Sequence, residues 1–122
     1  MDTLVVCLAT AASILLFSLS GWLTRADFAA HFTRRGYAVV FPQRPGHGAT
    51  GGVYLENQGG CATADYRKAG LGTATSIASV VAHMTKQKFV RRSGIVVAGQ
   101  SAGGWGAIAF ANLAAEQFFD AS

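Results

Sequence analysis

The stretch Gly94-Ile-Val-Val-Ala-Gly-Gln-Ser-Ala-Gly-Gly-Trp-Gly106 narrows the folds open to this chain more than any other. Residues 95–98 are a continuous apolar run, as in a strand covered on both faces. A helix-compatible stretch follows, from Ala102 to about Phe118. Between them lies Gly99-Gln100-Ser101-Ala102-Gly103, a Gly-x-Ser-x-Gly pentapeptide. A serine on a sharp strand-to-helix turn presents its hydroxyl above the sheet edge, and the turn needs unbulky residues on either side. Gly99 and Gly103 supply them. The free N–H groups of the helix start then favour negative charge at that point. Gly103, Gly104 and Gly106 crowd that start, and each weakens a helix by about 1 kcal/mol relative to alanine. Close helix–strand contact is one reason to keep them; a plain glycine-rich turn is the competing reading.

The rest of the chain suits such a junction. With 122 residues, 51% hydrophobic and 13% charged, it makes one domain, residues 1–122, with a buried core. The net charge of +4 concentrates in Lys86, Lys88, Arg91 and Arg92 and in the pair Arg34 and Arg35. Without a recognition motif these are a solvated connector and a helix end, and no nucleic-acid partner is expected. Cys7 and Cys61 show no metal-ligand spacing.

Residues 3–24 contain no Asp, Glu, Lys, Arg or His. Such a stretch could span a bilayer, which takes roughly 20 apolar residues. It could also be a secretory signal, although Asp2 replaces the usual basic start. The third reading splits it: residues 13–18 form a buried strand, residues 19–23 the loop that leaves it, and residues 1–12 an N-terminal extension or part of an apolar anchor. Localisation follows the choice: cytoplasmic on the strand reading, exported or membrane-associated on the others.

Thr24-Arg-Ala-Asp27 has the form of a capping box, with Asp27 in place of the usual Glu or Gln. Phe28 and Phe32 share one face of the helix it opens, and Gly36 supplies a left-handed stop. Residues 37–41 are a second apolar strand, ended by Pro42. Strand, helix and strand make a right-handed βαβ unit with parallel strands. Residues 42–60 are a long irregular segment with turn signals at Arg44-Pro-Gly-His-Gly48 and Gly51-Gly52. From about Thr63 to Lys86 the pattern is helical, with Leu71, Ala74, Ala78, Val81 and Thr85 on one stripe and Ile77 and Met84 beside it.

Together these segments resemble the α/β-hydrolase superfamily, in particular its dienelactone-hydrolase-like and prolyl-oligopeptidase-like esterases and peptidases. Residues 35–42 look like the family's fourth strand, Arg44-Pro-Gly-His-Gly48 with Gly51-Gly52 like the glycine-rich loop after it, and Gly99-Gln-Ser-Ala-Gly-Gly104 like the nucleophile elbow. The resemblance implies an α/β fold: a partial α/β-hydrolase core of about three parallel strands flanked by helices. Residues 13–18 would hold the middle, with residues 37–41 on one side and 95–98 on the other.

The resemblance also implies acyl transfer from a small-molecule carboxylic ester to water, with amide or peptide bonds second. It implies no metal and no cofactor. Ser101 would be the nucleophile. The backbone N–H of Ala102 would form half of the oxyanion hole, and the segment Ser20-Gly21-Trp22 the other half, with Trp22 at the position of contact. In this family the acid and the histidine follow the nucleophile in chain order. Here no histidine follows Ser101, and the later carboxylates, Glu116 and Asp120, lie about 20 Å along the helix. The expectation is a core truncated after the elbow and poor in activity by itself, with the acid unassigned. Among the upstream histidines only His47 lies at the correct end of the sheet; a base role there competes with that of a satisfied loop histidine. Two further readings stand beside the hydrolase: a small membrane-anchored or exported protein held by residues 3–24, and an interaction fragment that self-associates through open sheet edges.

Overall fold

The computed structural model describes residues 3–8 and 25–120. Strand β1 (Thr3–Leu8) comes first, then helix α1 (Arg25–Thr33), strand β2 (Tyr37–Val40), helix α2 (Tyr66–Met84), strand β3 (Val96–Gly99) and helix α3 (Ala102–Asp120). Two single 3₁₀ turns, Gly48–Thr50 and Cys61–Thr63, punctuate the segment between β2 and α2.

The three strands form a parallel sheet of order β2-β1-β3. Val5 pairs with Val39 on one side and Val96 on the other, and the β1–β3 register runs out at Leu8 opposite Gly99. The middle strand is thus Thr3–Leu8. Residues 13–18, where the sequence analysis puts it, lie outside the described residues. Within residues 1–12, expected as an extension or part of an anchor, Thr3–Leu8 is strand paired on both sides. Of the uncharged stretch, residues 9–24 lie outside the described residues, and no described helix is long and apolar enough to cross a membrane.

Alternation along β2 sorts the helices into two layers. Tyr37 meets Phe32 of α1 edge to face at 5.5 Å, and Phe41 just beyond the strand meets Phe28 at 6.2 Å. Ala38 and Val40 point the other way, onto the cluster around fully buried Ile77 and Val90, where Val81, Met84, Val97 and Phe110 also pack. So α1 covers one face and α2 with α3 the other. This follows from handedness: from β1 the chain moves one place sideways to β2, then crosses back over β1 to β3. Two right-handed crossovers in opposite directions deposit their helices on opposite faces.

Local signals set the ends. The Asp65 carboxylate caps α2 by accepting from the Lys68 N–H at 2.9 Å. Gly36, at φ +79°, stops α1. The inner face of α2 keeps Ala74 of the apolar stripe read in the sequence and Ile77 beside it, and is shifted toward smaller residues. Gly70, Thr73, Ala74 and Ile77 are buried, whereas Ala78 is exposed. The cause is α3, which lies so close that a Cβ on Gly106 would overlap the Thr73 side chain. Small residues define that contact, and hydrophobicity alone does not mark them.

Candidate active site

β3 ends at Gly99 and α3 starts at Ala102, so Gln100 and Ser101 alone make the reversal. So tight a turn demands a bare Gly99: a Cβ there would collide with the Gly103 carbonyl and fall 2.6 Å from the Gly104 nitrogen. Bulk at Gly104 is also limited, since its Cβ would sit 3.1 Å from the Gly99 oxygen. Ser101 absorbs the change of direction at φ +55°, and it is the one non-glycine residue with positive φ among the described residues. That conformation costs an L-residue about 1–2 kcal/mol.

The turn leaves Ser101 exposed, and its hydroxyl makes no hydrogen bond to a described residue. The Gly103 N–H donates to the Gln100 carbonyl at 3.0 Å, and the Trp105 N–H to the Ser101 carbonyl at 3.1 Å. The Ala102 N–H, first in the helix, has no intrahelical carbonyl to bond and stands at the positive end of α3. An exposed hydroxyl beside a helix N-terminus can donate electrons at a point where negative charge is favoured.

Topology makes this edge of the sheet a switch point. β1 and β3 are neighbours, but the helices that follow them lie on opposite faces of the sheet. Their carboxyl ends therefore diverge, and open α/β sheets bind ligands at such switch points. Ser101 stands two residues past the Leu8–Gly99 pair, at this switch point. Ser20, Gly21 and Trp22, expected opposite Ala102, lie outside the described residues.

The long segment after β2 leaves the same edge of the sheet. His47 is half-buried in it, with Nδ1 3.2 Å from the Pro45 carbonyl and its ring 5.2 Å from that of Tyr54. No hydrogen bond joins it to Ser101 among the described residues. His31 is exposed on α1, and His83 is exposed in the last turn of α2, at the opposite end of the sheet. Glu116 is exposed, about 21 Å along α3 from its start. No group of three or more metal-ligating side chains gathers among the described residues.

Two features escape the sequence. Arg44 donates to Glu56 at 2.6 Å across the loop, with both side chains buried and the second Glu56 oxygen unpartnered. The residues lie twelve apart in a segment without periodicity, so nothing in the pattern pairs them. The Trp105 indole N–H donates to the Tyr66 carbonyl at 2.8 Å and so ties the start of α3 to the start of α2. The crowd of glycines around Trp105 is its only trace in the sequence.

The sequence model of the prolyl oligopeptidase family matches residues 24–122. No curated protein and no solved structure matches the chain. By that match the chain belongs to the prolyl oligopeptidase family, with its α/β-hydrolase type of fold.

Proposed function

We propose that the protein is a serine hydrolase whose Ser101 carries the acyl group, acting on carboxylic esters first and on amide or peptide bonds second. Family membership supports serine hydrolase chemistry. The observation that carries the assignment to Ser101 is its left-handed backbone at an exposed turn that Gly99 alone permits. Strain of this kind persists where the surroundings enforce it, and it collects at reactive sites.

In this reading the Ser101 oxygen bonds to the ester carbonyl carbon while its proton passes to a base. The carbonyl oxygen becomes an oxyanion beside the Ala102 N–H and the start of α3. Collapse expels the alcohol and leaves the acyl-serine, which water then cleaves. An un-ionised hydroxyl is a weak nucleophile without its base. No His, Asp or Glu bonds to Ser101 among the described residues, and the contacts of His47 with Pro45 and Tyr54 favour its loop role. Acylation of Ser101 is the step to measure.

The test incubates the protein with p-nitrophenyl esters and follows both nitrophenolate release and intact mass, with Ser101→Ala as control. One acyl group on the peptide containing Ser101, absent from the variant, is the expected result. Equal acylation of both proteins would overturn the assignment.

A further inference from the structure

We propose that Trp105 and Tyr66 form an aromatic shelf that receives the apolar part of the acyl group carried by Ser101, so that the site prefers medium-length or aromatic acyl groups over acetyl. The proposal rests on the reading of Ser101 as the acyl carrier.

Trp105 follows Ser101 by one turn, fixed there by its N–H bond to the Ser101 carbonyl. That bond keeps the two backbones about one helical pitch, roughly 5.4 Å, apart, a span comparable to a short acyl chain. Tyr66 opens α2, and both helices begin at the carboxyl edge of the sheet, where Ser101 stands. The rings lie 5.8 Å apart, tilted by 54°.

The indole is held rather than loose. Its N–H is bound to the Tyr66 carbonyl, and it lies so close over Gly70 that a Cβ there would come 2.5 Å from Cδ1 and Nε1. One side of Trp105 is thereby fixed on α2, yet the residue stays 51% exposed and Tyr66 57% exposed. The central cluster is built from other side chains, Phe110 of α3 among them. Ile108, one turn further and 73% exposed, extends the apolar strip. With its N–H bound to the Tyr66 carbonyl, the indole offers no free donor for a polar group. An ordered ring that is open on one side and apolar in character suits a hydrocarbon substituent.

The test measures single-turnover acylation with p-nitrophenyl acetate, butyrate and hexanoate. Wild type is compared with Tyr66→Ala, which loses an exposed ring, and with Trp105→Phe, which keeps an aromatic packed on Gly70. Urea midpoints confirm that both variants fold. In parallel, the indole N–H resonance that disappears in Trp105→Phe is followed in Ser101→Ala as the esters are added. The expected result is a preference for hexanoate over acetate of about tenfold or more in wild type. That preference should fall at least threefold in each variant, and hexanoate alone should shift the indole resonance. Acylation of Ser101 with one chain-length profile in all three proteins overturns the shelf and leaves the nucleophile standing. An indole shift without acylation at Ser101 overturns the nucleophile and leaves apolar binding at the shelf. Neither acylation nor a shift overturns both.

Discussion

Ser101 and Gly99 share one constraint at the residue scale. The turn is short because Gly99 has no side chain, and Ser101 is left-handed because the turn is short. Gly99→Ala must push a Cβ into the Gly103 backbone, which cannot rotate away as a side chain would. It should lower stability by about 1–3 kcal/mol, the usual cost of overpacking, read as a lower urea midpoint with an unchanged m-value. Ser101→Gly should behave oppositely. Glycine meets no steric penalty at φ +55°, and that gain offsets its larger entropy in the unfolded chain. A urea midpoint at or above that of wild type is expected, together with loss of acylation. A large loss of stability in Ser101→Gly would show that the serine side chain is structural.

At the scale of elements, the loop between β2 and α2 depends on the Arg44–Glu56 pair. Both side chains are more than nine-tenths buried, so solvent screens the pair little. Removing one member strands the other charge, at a cost of about 3–5 kcal/mol. Glu56→Ala should therefore destabilise the protein by that amount in chemical denaturation. The double variant Arg44→Met/Glu56→Leu should recover most of it, because apolar groups of similar size leave no buried charge unpaired. If the double variant is no more stable than Glu56→Ala, the ion pair positions the loop in a way that packing cannot replace. The helices show a related economy of space. The contact between α2 and α3 rests on Thr73 against Gly106 and Trp105 over Gly70. That is why the inner face of α2 centres on Gly70, Thr73 and Ile77 rather than on the most apolar stripe.

Across the whole molecule, the helical layer of α2 and α3 is sealed against the sheet by Ile77 and Val90, both essentially inaccessible. Ile77→Ala should lower stability by about 2–5 kcal/mol. Because Ser101 stands at the junction of β3 and α3, and Val97 and Phe110 of those elements touch the same cluster, the loss should also slow acylation. Reduced stability with wild-type acylation kinetics in the folded protein would show that the turn holds its shape independently of the core.

Much of this is legible in the sequence, for a physical reason. Strand–turn–helix junctions and stops are set by neighbours in the chain: apolar residues 95–98, the bare Gly99 and the left-handed Gly36 all act within a few residues of themselves. Contacts between distant segments are different. The place of Thr3–Leu8 in the middle of the sheet, the Arg44–Glu56 pair, the hold of Tyr66 on Trp105 and the inner face of α2 each join segments whose separation no local pattern encodes. Those were decided by the tertiary structure, because parallel strands and close-packed helices select partners by shape and handedness once the chain has crossed back on itself.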